Sequence, residues 1–322
     1  MKPQVVVRTD MTPVLITEFM DAAAVASLAE RCAVRYEPKV VDDRAATLAG
    51  VREVEGLIVR NRTRVDAELI AAAPRLRVVG RLGVGLDNIA VDACAARGIT
   101  VIPATGANAL AVAEYVVCTA MMLLRGGYLS SAAVAAGKWP RAALSEGREA
   151  AGKTLGIVGF GGIGRLTARL AQGLGMTVIG TDALLAPDAP EWREARVAYR
   201  PLEGVLAEAD VVTLHLPLTD GTRHLLSAAS LARMKPGAVL VNTARGGVVD
   251  EAALAQALKS GRLGGAALDV FDQEPLPAGS PLADAPNLVL TPHIGGVTLE
   301  SNQRVSAMIA ERVAAALAAS LA

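Results

Sequence analysis

Leu155-Gly156-Ile157-Val158-Gly159-Phe160-Gly161-Gly162-Ile163-Gly164 reads as a short apolar strand, a glycine turn and the first turn of a helix. The helix shows in Ile163, Leu166, Leu170 and Leu174, spaced three to four residues apart, and Gly175 stops it. Thr177-Val178-Ile179-Gly180 then gives a second strand that ends beside Asp182. Strand, turn, helix, strand and acid in that order predict a dinucleotide site. Gly159 permits the tight turn, Gly161 lets the backbone approach a pyrophosphate, and Gly164 lets helix and strand pack closely. The helix N-terminus offers unpaired N–H groups and partial positive charge to the phosphates. Asp182 is placed to accept hydrogen bonds from an adenosine ribose. No Lys or Arg lies between Arg169 and Arg193 to hold a 2′-phosphate, so NAD is predicted over NADP.

Working outward, 322 residues suit two domains, each able to bury its own core. The formal charge is zero and no basic-aromatic stripe stands out, which argues against a nucleic-acid partner. Cys32, Cys94 and Cys118 are far apart and form no CxxC pair. They read as buried thiols in a reducing compartment, and neither disulfides nor a metal site are expected. Met1 to Arg8 holds too short an apolar run for a signal peptide. The most apolar helix, Leu110 to Leu124, contains Glu114 and is shorter than a membrane span needs. It is read as a buried or subunit-interface helix in a soluble, cytoplasmic protein with no membrane partner. Trp139, in the loop Gly137 to Pro140, is read as a packing residue.

The first hundred residues alternate strands (Val14–Thr17, Gly56–Arg60, Val78–Gly80, Ile99–Ile102) with helices near 21–31, 66–73 and 87–96. That alternation predicts a small parallel α/β unit, expected to be flavodoxin-like. Further strands at Val211–Leu214, Ala238–Val241, Ala266–Leu268 and Leu288–Leu290 join the two around the glycine turn. At least six strands of a doubly wound parallel Rossmann sheet result. The last helix, about 299–317, carries Val305, Met308, Ile309 and Val313 on one face and is expected to return to the first domain. The expected domains are therefore a discontinuous substrate-binding domain (1–102 and 294–322) and an NAD-binding domain (103–293).

In an open α/β sheet, ligands bind beyond the carboxyl ends of the strands, which selects the residues to weigh. Gly83-Val84-Gly85 follows a strand and precedes a helix, and reads either as a tight turn or as a backbone N–H cradle for a small carboxylate. Arg60 ends a strand in the same unit and is a candidate for that site. In the second unit Arg245 is the candidate carboxylate clamp, because its planar fork grips both oxygens as lysine cannot. His293 is the candidate acid-base group, held between prolines and glycines, with Glu274 fixing its tautomer and favouring the imidazolium. Asp269 is assigned to the nicotinamide amide or to an adjacent loop. Of the other histidines, His215 is read as a loop contact on the adenosine side, with acid-base work as its alternative. His224 is read as structural or exposed.

Three segments then make a resemblance visible: Asn242-Thr243-Ala244-Arg245-Gly246-Gly247, Leu268-Asp269-Val270-Phe271-Asp272-Gln273-Glu274-Pro275 and Pro292-His293-Ile294-Gly295-Gly296. They resemble the three signatures of the D-isomer-specific 2-hydroxyacid dehydrogenases, and both glycine loops agree. The similarity covers nearly the whole chain and is greatest to the short 3-phosphoglycerate dehydrogenase-like branch. It implies an NAD-dependent hydride transfer between nicotinamide and a 2-hydroxy or 2-oxo acid, and a homodimer built on the helix around Ala107 to Arg125. It also implies cofactor contacts from Gly162, Ile163, Thr243, Ala244, Gly295, Gly296 and the backbone near Leu216, with Val84 facing the nicotinamide. Gly162 stands where many relatives carry arginine. The end at Ala322 leads to the expectation that the regulatory domain of long phosphoglycerate dehydrogenases is absent, which weakens a place in serine synthesis. Arg60, Arg81 and Arg125 together suggest a second anion on the substrate. A 3-phosphoglycerate-like acid is the first reading, and 3-sulfolactate or another 2-hydroxy acid the alternative. An NAD-sensing corepressor-like binding protein is the reading from another class. Formate-type relatives lack a glutamate at the position of Glu274.

Overall fold

A computed structural model describes residues 11–319, so the N-terminal run Met1 to Arg8 lies outside the described residues. The chain divides into two compact units, one formed by Met1–Asn108 with Val297–Ala322 and the other by Ala109–Gly296. These limits fall a few residues beyond the expected breaks at 102/103 and 293/294.

The first unit runs β1 (Pro13–Ile16), α1 (Ala22–Ala29), β2 (Ala33–Tyr36), α2 (Arg44–Gly50), β3 (Gly56–Val59), α3 (Ala67–Ala72), β4 (Val78–Arg81), α4 (Val91–Ala96) and β5 (Thr100–Pro103). Its strands pair in parallel in the order β2-β1-β3-β4-β5, the flavodoxin order. Such a sheet is covered on both faces, and β3 is accordingly an apolar run buried throughout. Asp21, Asp43 and Asp66 cap α1, α2 and α3 by accepting from backbone N–H groups of the first turn.

The second unit runs α5 (Ala109–Arg125), α6 (Ser131–Ala135), β6 (Thr154–Val158), α7 (Gly162–Gly173), β7 (Thr177–Thr181), α8 (Pro190–Glu194), β8 (Ala198–Tyr199), α9 (Leu202–Glu208), β9 (Val211–Leu214), α10 (Ala228–Arg233), β10 (Ala238–Asn242), α11 (Glu251–Lys259), β11 (Leu263–Leu268) and β12 (Leu288–Leu290). All seven strands are parallel, in the order β8-β7-β6-β9-β10-β11-β12. The order reverses between β6 and β9, so the glycine turn after β6 stands at the topological switch point of a doubly wound sheet. Phe160, from that turn, is fully buried and stacks on Trp192 at 4.5 Å. The closing helix α12 (Leu299–Ala319) belongs to the first unit, where it packs on α1, β4 and β5.

Several details depart from the sequence reading. In α7 the buried face is Gly164, Thr167, Ala168 and Ala171, while Leu166, Leu170 and Leu174 are only half-buried. Small side chains on the inner face let the helix backbone approach its neighbours. Cys118 is exposed, not buried, because it lies on the outer face of α5. Trp139 is 79% exposed and packs against nothing in its own unit that could shield it. The edge strands β2 and β8 carry little apolar signal and have no counterpart in the sequence reading. Among the described residues no helix is long and apolar enough to cross a membrane.

Candidate active site

Because every strand of the second sheet points the same way, the loops after β6, β7, β9, β10, β11 and β12 share one rim. At Gly159, φ is +97° and a Cβ would lie 2.3 Å from the His215 carbonyl oxygen, so only glycine serves. A Cβ on Gly164 would lie 2.4 Å from the Gly159 carbonyl oxygen, which is the close helix–strand packing the sequence predicts. Gly161 and Gly162, by contrast, face open space, and no side chain caps the N-terminus of α7. Its first-turn N–H groups are thus available to a pyrophosphate. Asp182 stands past the end of β7, where its Oδ2 accepts from the Phe160 N–H (2.7 Å) and its Oδ1 from the Leu184 N–H (2.7 Å). Each oxygen keeps a lone pair for a ribose hydroxyl. Across the rim, Thr243 Oγ1 is buried without a hydrogen-bond partner among the described residues, as a side chain that meets a bound cofactor would be. Open glycines, an uncapped helix, a ribose acceptor and an orphaned hydroxyl together fit NAD.

His215 and Leu216 follow β9 on this rim. The His215 Nε2 lies 3.1 Å from Thr213 Oγ1, and burial of the ring pushes its pKa down to about 4. A ring that stays neutral far below pH 7 is a poor proton donor and a weak base, which favours the loop-contact reading over acid-base work. His224 is exposed, with φ +49° and its N–H donated to the Gly247 carbonyl, a structural position.

The loop after β10 is shaped by Asn242, whose amide donates to the Arg245 carbonyl (3.0 Å) and whose oxygen accepts from the Ala244 N–H (3.0 Å). A Cβ on Gly246 would stand 1.8 Å from the Phe271 carbonyl oxygen, so the absence of a side chain lets the Arg245 loop lie against the loop carrying Glu274. Arg245 itself donates from Nη1 to the Ala244 carbonyl (2.6 Å). Glu274 accepts from the Phe271 N–H at Oε1 (3.1 Å), and its Oε2 is 2.8 Å from His293 Nδ1. A carboxylate can only accept here, so Nδ1 carries the proton and Nε2 is left for a substrate oxygen. Partial burial pushes the Glu274 carboxyl up, yet the His293 hydrogen bond and charge, the Phe271 N–H and the Arg245 charge outweigh it. The net result lies below the usual carboxylate range. Glu274 stays ionised as the partner of an imidazolium.

His293 sits at φ +57°, a left-handed position that its loop must hold in place. Asp269 does so. Its Oδ1 accepts from Thr291 Oγ1 (2.6 Å) and the Ile294 N–H (2.8 Å), and its Oδ2 from the Gly295 N–H (2.7 Å). Of the two partners expected for Asp269, the adjacent loop is the one observed, and with 2% exposure little of the carboxylate remains for a nicotinamide. The same bond engages the Gly295 N–H, leaving that group nothing to donate to the cofactor. Tyr115, on α5, lies with its hydroxyl 2.6 Å from Thr291 Oγ1.

In the first unit, the loops after β3 and β4 lie at the carboxyl ends of neighbouring strands. Asn88 joins them by donating to the Arg60 (3.3 Å) and Thr63 (2.7 Å) carbonyls. Arg60 and Gly83-Val84-Gly85 are thereby brought to one place. Arg81 instead turns back to donate to the Leu82 carbonyl (3.0 Å).

Arg125 is the correction among the expected site residues. The N-terminal half of α5 reaches the rim through Tyr115, but Arg125 lies ten residues on, roughly 15 Å along the helix. There α5 meets the opposite edge of the sheet. Leu124 lines a small cleft with Leu155 and Met176, and its carbonyl accepts from the Arg148 N–H, whose guanidinium bonds the Gly237 carbonyl ahead of β10. Arg125 therefore lies at the opposite edge of the sheet from Arg245 in the same unit.

Residues 117–295 match the family model for the D-isomer specific 2-hydroxyacid dehydrogenase, NAD binding domain. The chain belongs to this family. It is 55% identical to the (S)-sulfolactate dehydrogenase of Chromohalobacter salexigens over 95% of its own length and 99% of that protein's. To the D-3-phosphoglycerate dehydrogenase of Mycobacterium leprae it is 41% identical over 96% of its length, but it spans only 57% of that protein. Among solved structures, the TT0316 protein of Thermus thermophilus superposes with a TM-score of 0.87 at 36% identity, covering 96% of this chain and 97% of that one. The protein is thus an NAD-dependent oxidoreductase of 2-hydroxy acids. Nothing in its residue patterns gives Asn242 or Tyr115 a role beforehand, because their partners are backbone groups or a residue distant in sequence. Thr291 alone had a cue, its place two residues before His293.

Proposed function

We propose that this dehydrogenase acts on a 2-hydroxy acid carrying a second anion, with (S)-3-sulfolactate ahead of 3-phosphoglycerate. The observation that carries this reading is the 55% identity running through 99% of a (S)-sulfolactate dehydrogenase. The stereochemical labels agree with the family. Replacing a methyl hydrogen of D-lactate by sulfonate raises that carbon above the carboxylate in priority, so the same spatial arrangement is named (S). Arg245 clamps the substrate carboxylate, His293 Nε2 takes the C2 hydroxyl proton during oxidation, and ionised Glu274 stabilises the imidazolium that results. NAD, held at the first turn of α7 and by Asp182, would supply the hydride acceptor that makes C2 a ketone. In the first unit the N–H groups of Gly83, Val84 and Gly85 form an anion cradle, and Arg60 serves the second anion. A homodimer built on α5 accounts for its exposed Leu110, Met121 and Cys118 and for Trp139 beyond it. The free thiols suit a cytoplasmic setting.

The test is NAD reduction with (S)-3-sulfolactate, D-3-phosphoglycerate, D-malate and D-lactate. The sulfonated acid is expected to give the highest kcat/KM, with D-lactate at least a hundredfold lower. Equal or better use of D-lactate would contradict the second-anion reading.

A further inference from the structure

Glu18 is 4% exposed, yet among the described residues no lysine or arginine side chain is bonded to its carboxylate. Its partners are four consecutive backbone N–H groups of the loop that follows β3. Oε1 accepts from Arg60 (2.8 Å) and Thr63 (3.0 Å), and Oε2 from Asn61 (3.3 Å) and Arg62 (3.1 Å). Four donors saturate the lone pairs of a carboxylate, so the loop is wound around one buried charge. The neighbouring Thr17 Oγ1 adds a 2.8 Å hydrogen bond to Thr63 Oγ1. With its backbone fixed, Arg60 extends a guanidinium that is held twice more. Nη2 donates to Asn302 Oδ1 of α12 at 2.9 Å, and Phe19 lies with its ring centroid 5.9 Å from Cζ. Those are the only partners of the guanidinium among the described residues, which leaves most of its five N–H donors for a ligand.

We propose that Glu18 and Asn302 are positioning residues that set specificity for the substrate's second anion, Glu18 by winding the Arg60 loop and Asn302 by aiming the guanidinium. The inference rests on the reading of Arg60 as the second-anion group. The reason is mechanical. Two long-chain torsions and a loop would otherwise have to be ordered on binding, and pre-ordering them removes that entropy from the binding step. Burial pulls the Arg60 guanidinium below its ordinary pKa, and the buried Glu18 charge opposes that shift.

Steady-state kinetics of the full-length protein separate the possibilities. Glu18→Gln keeps the shape but replaces one acceptor oxygen by a donor that faces two N–H groups. It is expected to raise KM for (S)-3-sulfolactate at least tenfold, with kcat within twofold. The kcat/KM for singly charged D-lactate and the NADH affinity should be unchanged. Asn302→Ala leaves the wound loop alone and should raise KM for the sulfonated acid three- to tenfold with the same selectivity. Arg60→Ala is the control. If it raises that KM while Asn302→Ala does not, or while a folded Glu18→Gln does not, the positioning proposal is overturned and the Arg60 reading stands. If Arg60→Ala leaves the KM unchanged, the Arg60 reading itself fails. Should Glu18→Gln prove insoluble, Asn302→Ala decides alone.

Discussion

Two histidines stand on one rim of the same sheet, and their surroundings give them opposite duties. His293 is 45% exposed at the side chain and paired with an ionised Glu274, an arrangement that accommodates gain and loss of a proton. His215 is partly buried, and burial of its ring lowers its pKa to about 4 from an unperturbed 6.5. Below pH 6.5 the unfolded chain binds this proton and the folded chain does not. His215 therefore contributes stability that is complete above pH 6.5 and is lost as the pH falls toward 4, a loss of roughly 3 kcal/mol. His215→Asn should flatten that part of the stability-versus-pH curve in urea titrations, and an unchanged slope would refute the buried-neutral assignment. At this scale the pairing of His293 with Glu274 was legible in the sequence. Arg245, Glu274 and His293 announce themselves through motif spacing and the carboxyl-end rule. Arg125 did not yield to the same logic, because a helix may run either way across a sheet and its sequence holds no sign of which end meets the rim. Glu18 was illegible for a different reason: its partners are backbone N–H groups more than forty residues away.

At the scale of elements, the His293 loop after β12 is held from behind by α5. Thr291 commits its hydroxyl proton to Asp269, so in the 2.6 Å contact with Thr291 the Tyr115 hydroxyl is the donor. Burial raises the Tyr115 pKa, the Thr291 bond opposes it, and the Asp269 charge raises it further, so the hydroxyl stays protonated as a donor must. Tyr115→Phe removes one buried hydrogen bond, worth about 1 kcal/mol. It is expected to lower the melting temperature by a few degrees and to reduce kcat more than it changes the KM of the acid. A wild-type kcat would show that the His293 loop needs no support from α5. The alternation of strands and helices that built these elements was readable from apolar runs and glycine stops. Strands β2 and β8 were not, since edge strands bury few side chains and leave little period-two signal.

At the scale of the molecule, each unit has cores of its own on both faces of its sheet, and the glycine turn, Asp182 and Thr243 lie in the second. The return of α12 to the first unit was foreseeable because an apolar face with no following strand needs a partner. Ligand binding to one unit should be felt there first. NADH at about a hundred times its Kd adds roughly 2.7 kcal/mol to whatever unfolds with its site. Calorimetry is expected to show that shift in the transition of residues 109–296, and NADPH should give far less because Asp182 offers a 2′-phosphate only repulsion. An equal shift with NADPH would contradict the ribose assignment. The central claim is that His293, oriented by Glu274, moves the proton while NAD takes the hydride. Single-turnover NADH formation from (S)-3-sulfolactate by the wild type and by His293→Ala tests it most directly. The account predicts a rate lower by a factor of about 10² to 10⁴ with NADH affinity preserved, and an undiminished rate in the variant would contradict it.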